Sequence, residues 1–219
     1  MTDLDRWTKQ LCDQRGKKVI FLSHCLLNEN TRYLGGAGEA GAVRHVIQEC
    51  LDQGLGIVQM PCPEQHAWGG VLKHRLVRYF GSKGTLIYRT RNVVLPLLLW
   101  YTRNVYRGLA KQVANEIEEY QTSGFAVVGI VGVDGSPSCG LSQTLDIRRS
   151  LELVGQLSLK ATRDDMNAIV LNCLMQGRGI FIEVLQDELG SRRLIVPFLP
   201  YDLPSELRGR PNAPIVRDA

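Results

Sequence analysis

The sequence predicts an α/β protein built on a parallel sheet with helices on both faces, plus a basic helical insertion. Short apolar runs bounded by glycine or proline indicate buried strands. Stretches with apolar residues at helical spacing separate most of these runs. An alternation of strand and helix along the chain is typical of parallel strands joined by right-handed crossovers.

The individual elements follow from these patterns. The predicted strands are Lys17–Ser23, Leu55–Met60, Val127–Val133 and Gly179–Val184, with Thr85–Thr90 as a further short strand. The predicted helices are Glu39–Gln53, Asn104–Thr122 and Arg163–Gln176. Each of these helices is followed by a glycine, a residue that commonly ends helices because it adopts left-handed backbone conformations at little cost.

The length of 219 residues predicts one domain, 1–219, because a chain of this size buries a single sizeable core. Within it we expect an insertion at about 73–115, which carries the basic segment. A proline-rich tail at about 197–219 holds five of the nine prolines, and we expect it to be an extended wrap or partly disordered.

Nothing near the N-terminus has the apolar stretch of a signal peptide. The longest apolar run, Val93–Tyr101, has nine residues and contains Pro96, whereas a membrane span needs about 20. We therefore expect a cytoplasmic protein without a transmembrane segment. That compartment argues against disulfides among the six cysteines.

Three cysteines share one placement. Cys25, Cys62 and Cys139 each follow the carboxyl end of a different predicted strand, and in an open parallel sheet these ends meet at the ligand-binding edge. Three thiolates there suit a metal site with an open position, either zinc or a [4Fe–4S] cluster. The alternative is three free thiols at strand ends. The remaining cysteines, which we expect to be bystanders, are Cys12, Cys50 and Cys173.

Four short motifs surround these cysteines. They are Ser23-His24-Cys25-Leu26-Leu27, Arg32-Tyr33-Leu34-Gly35, Cys62-Pro63-Glu64 and Gly135-Ser136-Pro137-Ser138-Cys139-Gly140. In this order they resemble the DUF523 family, whose founding activity is thiouracil desulfidase (TudS). The resemblance covers roughly Lys17–Gly70 and Gly124–Val184, and it points to a TudS-related subgroup.

The resemblance implies a single DUF523-like domain with a Rossmann-like fold. It also implies a [4Fe–4S] cluster on Cys25, Cys62 and Cys139 and the removal of sulfur from thiolated bases. The chain departs from the family pattern at three positions. Asn28 stands where the family has glycine, Leu34 where it has aspartate, and Thr31 where some members have another cysteine.

A desulfidase of this kind converts C=S to C=O and releases hydrosulfide, with the substrate sulfur bound to the iron that no protein ligand occupies. Water must add to the carbon, which requires an acid or base close to the cluster. Glu64, two residues after Cys62, is the first candidate, and capping of the next helix is its structural alternative. Ser136 and Ser138 are further candidates for catalytic residues, through hydrogen bonds to the cluster or the substrate, and a role in the turn alone is their alternative. Asp134 is an alternative base, and its own alternative is a turn former before Gly135.

Two residues in the glycine-containing loop after Cys25 are candidates for substrate binding. Arg32 offers charge-assisted hydrogen bonds, and Tyr33 offers a ring for stacking. An ordinary surface pair is the alternative interpretation. His24 either tunes the site or packs at the end of its strand.

The insertion is the basic part of the chain, which carries a net charge of +4. Between Glu64 and Glu116 there is no acidic residue, and nine basic residues occur: Lys73, Arg75, Arg78, Lys83, Arg89, Arg91, Arg103, Arg107 and Lys111. The aromatic residues among them are Tyr79, Phe80, Tyr88, Trp100, Tyr101 and Tyr106. This composition suits RNA, but equally a membrane surface, a homodimer partner or a solvated basic face.

Three functions remain open at this point. The first is a non-redox, cluster-dependent desulfidase that acts on a thiolated base, a nucleoside or an RNA residue. The second is another open-iron lyase, such as a dehydratase. The third is a non-enzymatic zinc or thiol binding module that uses its basic segment.

Overall fold

The computed structural model describes residues 2–11 and 13–216, and it confirms the α/β fold. The strands are β1 Lys18–Leu22, β2 Gly56–Gln59, β3 Ala126–Asp134, β4 Gln143–Leu145, β5 Leu174–Gln176 and β6 Phe198–Asp202. Four of them form one parallel sheet in the order β2-β1-β3-β6. The short strands β4 and β5 form a separate antiparallel pair.

Helices flank this sheet, as the sequence predicts. They are α1 Asp3–Gln10, α2 His24–Leu27, α3 Arg44–Asp52, α4 Pro63–Ala67, α5 His74–Phe80, α6 Leu86–Thr122, α7 Ile147–Val154, α8 Arg163–Asn172, α9 Ile180–Ser191 and α10 Leu203–Leu207. Helix α6 has 37 residues and packs along α9. Fully buried apolar side chains from the sheet and from both helices form the core, among them Phe21, Ile130, Ile117 and Phe181.

Strands β1 and β2 end at the same level, and β3 continues three residues further, to Asp134. Leu22 of β1 pairs with Gln59 of β2 on one side and with Val131 of β3 on the other. Beyond the pairing, the Ser23 amide and hydroxyl both donate to the Val131 carbonyl oxygen, at 3.1 and 2.8 Å. The segments that follow these three parallel strands therefore leave the sheet at the same edge, its carboxyl edge.

The prediction of a strand at Gly179–Val184 is wrong, because these residues begin helix α9. The run Ile180–Val184 is apolar on successive residues, a pattern that a buried strand and a helix buried on most of its surface share. Tertiary contact decides between them. The first amides of the helix donate to carbonyl groups of the loop after β3, which supplies the acceptors that a helix start otherwise lacks.

The short strand predicted at Thr85–Thr90 is also wrong, because this segment is the start of α6. The Thr85 side chain accepts a hydrogen bond from the Tyr88 amide at 3.0 Å and so caps the helix. The predicted helix Asn104–Thr122 is confirmed as its second half. The helix continues through Pro96. Proline has no amide hydrogen to donate to the carbonyl group of Asn92, but both residues are exposed, so water can take the place of this donor.

Two predicted helices are shorter than expected. Helix α3 begins at Arg44 instead of Glu39, after a bend-rich loop, and α8 ends at Asn172, where the chain turns into β5. The expectation of an extended or disordered tail fails at its start. Phe198–Asp202 pairs with β3 as an edge strand, where Pro200 is tolerated, and α10 follows.

The described part of the chain contains no helix with enough length and apolarity to cross a bilayer.

Candidate metal centre

Cys25, Cys62 and Cys139 line one cavity of about 180 Å³ at the carboxyl edge of the sheet. This arrangement confirms the predicted convergence of the three strand ends. Cys25 lies in α2, Cys62 immediately precedes α4, and Cys139 lies in the loop after β3. Cys62 and Cys139 expose only 8% and 7% of their surface, so this end of the cavity is largely shielded from bulk water.

The loop that carries Cys139 is held by Asp134, the last residue of β3. Its buried carboxylate accepts hydrogen bonds from the amides of Leu141, Ser142 and Gln143, at 2.8, 2.9 and 3.3 Å, and from the Ser142 hydroxyl. The Val133 amide donates to the Cys139 carbonyl oxygen at 2.8 Å. Asp134 is thus committed to shaping the loop and is not among the residues that line the cavity, which removes it as an alternative base.

The same loop rests on the start of α9. The Ile180 amide donates to the Pro137 carbonyl oxygen, and the Phe181 and Ile182 amides donate to that of Ser138, at 3.0 to 3.2 Å. Gly179 permits this approach, since a Cβ atom there would lie 2.3 Å from the Ser138 carbonyl carbon. Helix α9 therefore positions the third cysteine.

The two candidate serines of the loop have different surroundings. Ser136 lines the cavity, where its hydroxyl lies 3.2 Å from Glu64 Oε1 and accepts from the Ser138 and Cys139 amides at 3.2 and 3.0 Å. Ser138, predicted as catalytic, is fully buried behind the loop and lies outside the cavity lining. Its hydroxyl is 2.7 Å from the hydroxyl of Tyr106 on α6. Ser138 therefore holds the loop that carries Cys139 against α6 and α9.

Glu64 lies in the first turn of α4 and lines the cavity with the three cysteines. Oε1 accepts from the Ser136 hydroxyl, and Oε2 lies 3.5 Å from the Lys73 ammonium. Only 17% of the side chain is exposed. The carboxylate is therefore held toward the cavity by two partners, and no capping hydrogen bond by a side chain is found at the start of α4 in the described structure.

Arg32 is buried and is not the surface residue that the alternative interpretation expects. Nη1 donates to Glu206 Oε1 at 2.7 Å and to the Gly36 carbonyl oxygen at 3.1 Å, and it lies 3.4 Å from Glu29 Oε2. Burial opposes its charge, but the hydrogen bond to Glu206 and the proximity of Cys25 and Glu29 raise the pKa of the guanidinium. Nε and Nη2 are buried without a hydrogen-bond partner among the described residues.

Tyr33 and His24 also line the cavity. The Tyr33 hydroxyl donates to Asn167 Oδ1 on α8 at 2.8 Å, and burial raises the pKa of this phenol to about 12. The His24 ring contacts the side-chain amide of Gln59 through Nδ1. Burial, with the nearby Lys73 and His66, lowers the pKa of His24, so the ring favours the neutral form.

Burial raises the pKa of all three cavity thiols, that of Cys62 to about 12. For Cys139 the neighbouring Cys25, Glu64 and Cys62 raise it further, which shows how close these groups stand. Arg32 opposes the effect at Cys25. Without a metal the thiols are protonated, and a metal that binds them must displace the protons.

The other cysteines lie elsewhere. Cys50 on α3 and Cys173 at the end of α8 are buried and outside the cavity lining, which agrees with their expected role as bystanders. Cys12 lies outside the described residues. All five cysteines that the structure describes are free thiols.

Two residues of this site escape sequence analysis. Lys73 is only 5% exposed, lines the cavity and donates to the Thr31 carbonyl oxygen, yet in sequence it is one of nine similar cations. Tyr106, counted above among aromatics suited to RNA, is fully buried against Ser138. Its position three and seven residues before Leu109 and Val113, on the apolar face of α6, is the signal that indicates burial.

The rest of the basic segment is partly neutralised by the protein itself. Arg91 lies 3.8 Å from Glu152, and Arg103 lies 3.0 Å from Glu183. Phe80 is buried, whereas Trp100 is 69% exposed. The segment thus contributes to the interior as well as to the surface.

The three thiols line one cavity, and cysteine thiolates are the usual ligands of iron–sulfur clusters. Among residues 2–11 and 13–216, no group of three or more His, Cys, Asp or Glu side chains that could hold a metal ion is found. A [4Fe–4S] cluster binds each cysteine at a different iron, so its ligands stand further apart than those of one ion. Arg32 and Lys73, both buried beside the cavity, supply positive charge opposite the thiolates.

Comparison with known proteins supplies a distant relative and no family assignment. The chain is 25% identical over 131 residues to "Uncharacterized protein MJ0003" of Methanocaldococcus jannaschii. The match covers 58% of this chain and 70% of that protein. No protein-family model and no solved structure matches the chain. The likeness to the DUF523 family therefore rests on the four motifs alone.

Proposed function

We propose that the protein is a [4Fe–4S]-dependent desulfidase that converts C=S to C=O on a small thiolated nucleobase. The observation that carries the proposal is the convergence of three thiols from three strand ends on one cavity, beside a held carboxylate. Cys25, Cys62 and Cys139 would hold the cluster. The residues of the four motifs and their order along the chain add support, because they resemble those of the TudS-related proteins.

With Cys25, Cys62 and Cys139 as its protein ligands, a cluster would supply a Lewis acid for the thiocarbonyl group of the substrate. The chain's own residues then manage water and protons. Glu64 takes a proton from the attacking water, since Ser136 and Lys73 hold its carboxylate at the cavity wall. Arg32 and Tyr33 orient the substrate, the former through its unpartnered Nε and Nη2.

The reaction balances without an electron donor. Water adds its oxygen to the thiocarbonyl carbon, and the proton that Glu64 receives is returned as the C–S bond breaks. The products are the oxo base and hydrogen sulfide or its anion. Neither carbon nor sulfur changes its oxidation state, because sulfur is sulfide-level in C=S and in hydrogen sulfide, and carbon exchanges a double bond to sulfur for one to oxygen.

The shielding of the thiols favours a free base over an RNA residue. Cys62 and Cys139 are both less than 10% exposed, and the cavity of about 180 Å³ matches a small molecule. A nucleotide within RNA would have to be flipped out of its stack and its backbone brought to the cavity mouth, at a cost of a few kcal/mol.

Two other functions remain as alternatives, and the experiment described below distinguishes each of them from the desulfidase. An open-iron dehydratase uses the same three ligands on an oxygen-containing substrate. A zinc or thiol binding module uses none of this chemistry. A zinc site would need three or more protein donors grouped around one ion, and no such group is found among the described residues.

The proposal is tested by anaerobic purification, followed by iron and acid-labile sulfide analysis and incubation with 2-thiouracil and thiouridines. We expect iron, sulfide and release of hydrosulfide from the thiolated base. A colourless protein that contains zinc and no iron would refute both cluster-dependent functions. A brown protein that releases no sulfide from thiolated bases but dehydrates a hydroxy acid would establish the open-iron dehydratase instead.

The ligand assignment has a matched test. Cys139→Ala should abolish retention of iron, whereas Cys173→Ala should not, although both thiols are buried to a similar degree. Iron content and the visible absorption of the cluster measure the difference. Equal retention in the two variants would contradict the assignment.

A further inference from the structure

The cavity has two kinds of wall. Its charged lining residues come from the strand-end loops and from the residue before α5, as described above. A second set comes from helices α5, α7 and α8 and is mainly aliphatic, with Ser150 and Met166 as the other members. It includes Leu76, Val77, Ile147, Leu151, Ile169 and Val170.

This aliphatic wall is a firm part of the structure. Leu151, Ile169 and Val170 are each at most 9% exposed. Leu151 also belongs to a small apolar cluster with Phe80 and Leu95, on which Leu76 and Ile147 pack. The wall is thus supported from behind by the insertion and is not a set of side chains free to collapse into the cavity.

A desulfidase for an unsubstituted polar base has no need of such a wall. Aliphatic side chains offer neither donors nor acceptors for ring nitrogens, a ribose or a phosphate. Apolar surface in a pocket contributes affinity when it is covered by apolar atoms of a ligand. In another protein, an apolar cavity of about 150 Å³ stays dry and binds benzene. A short alkyl chain or an aryl ring is a group of about that size.

We propose that the helical wall binds an apolar substituent, a short alkyl chain or an aryl ring, that the thiolated substrate carries beside its C=S group. The polar wall then receives the thiocarbonyl and the ring nitrogens, and the helical wall receives the substituent. The C=S part of this statement rests on the proposed function, whereas the apolar part rests on the cavity. Burial of each methylene contributes about fourfold in affinity.

The experiment compares 2-thiouracil with 6-propyl-2-thiouracil on the anaerobically purified protein, by kcat/KM for sulfide release. We expect the propyl compound to be favoured by about tenfold or more. Leu151 and Val154 both line the cavity on its helical side. Leu151→Trp and Val154→Trp fill the space in front of the helical wall and should remove that preference while 2-thiouracil is still turned over. Val154 is half-buried at the end of α7, so its replacement is the milder change. Leu159→Trp, at a fully exposed position, is the control.

Toluene binding separates this inference from the proposed function, because it requires no cluster and no turnover. We expect saturation-transfer NMR to detect toluene on the wild-type protein and on Leu159→Trp, and not on the two wall variants. Toluene binding without sulfide release from either thiouracil would refute the desulfidase and leave the apolar site standing. Equal turnover of the two thiouracils, with no toluene binding, would overturn the apolar site and leave the desulfidase standing.

Discussion

Glu64 is the residue on which the proposed chemistry depends most directly. Its carboxylate lies within 3.2 Å of the Ser136 hydroxyl and 3.5 Å of the Lys73 ammonium, and it shares the cavity with three thiols. Ser136 is 72 residues away in sequence, whereas Lys73 follows nine residues after Glu64. A carboxylate held by a hydroxyl and a cation has one defined orientation, which a proton acceptor for a bound water requires.

Replacement of this carboxylate should separate catalysis from cluster binding. We expect Glu64→Gln to keep its iron and to lose about 10²- to 10⁴-fold in kcat for sulfide release, since the amide cannot take a proton. Steady-state sulfide assays on protein of matched iron content measure the effect. Glu183→Gln, on the outer surface of α9, should retain wild-type activity. Full activity in Glu64→Gln would remove Glu64 from the mechanism.

Asp134 shows that a carboxylate near the site can be wholly structural. It receives three backbone amides and one hydroxyl of the loop that carries Cys139. We expect Asp134→Ala to lower the free energy of unfolding by about 1–3 kcal/mol, because buried donors lose their acceptor. Iron retention should fall with it. Thermal unfolding and iron analysis check this result, and Asp187→Ala, on an exposed face of α9, should change neither.

At the scale of elements, the site is assembled by contacts between parts of the chain that are far apart. The loop after β3 is fixed by the start of α9 through the Pro137 and Ser138 carbonyl groups. It is fixed again by α6, through the hydrogen bond between Tyr106 and Ser138. The basic insertion therefore supports the site from behind, in addition to forming part of its helical wall.

The contact between α9 and the loop can be tested with two glycines at opposite ends of this helix. Gly179→Ala places a Cβ atom 2.3 Å from the Ser138 carbonyl carbon, so we expect a loss of about 1–3 kcal/mol in the free energy of unfolding. Gly190 lies within α9, and a Cβ atom there meets nothing within 4 Å in the described structure. Gly190→Ala should stabilise the protein by about 0.5–1 kcal/mol.

These two variants are compared by denaturant unfolding at equilibrium. Opposite signs of the change are expected, with a lower midpoint for Gly179→Ala and a higher one for Gly190→Ala. A neutral Gly179→Ala would mean that the loop and the helix start do not press against each other as the structure has them.

At the scale of the whole molecule, the basic segment and the buried cavity point to different partners. The segment has nine cations and no acid, a composition that suits RNA, whereas the thiols lie where only a small molecule fits easily. Two of the cations pair with Glu152 and Glu183 of the protein itself. The enclosed position of the thiols decides the expected substrate.

We therefore expect sulfide release from free 2-thiouracil and none from folded RNA that contains the same thiolated base. An excess of unmodified RNA should leave the rate with the free base unchanged at physiological salt. Parallel sulfide assays with the two substrates make the comparison. Faster release from the RNA than from the free base would show that the basic segment delivers the substrate, and would contradict this expectation.

The sequence by itself determined the strands β1, β2 and β3, because each is an apolar run of strand length, and proline and glycine follow β2 and β3. It also determined that Cys25, Cys62 and Cys139 meet, since parallel strands present their carboxyl ends at one edge. Both inferences use local patterns and one general property of parallel sheets.

Only the tertiary structure decided what surrounds these cysteines. The run after Gly179 is helical because the loop after β3 accepts its first amides, and the tail contains β6 because β3 offers a free edge. Lys73 and Tyr106 became part of the site through burial against distant residues. Burial, hydrogen-bond partners and the shape of a cavity depend on which segments meet, and no local pattern in a single sequence records that.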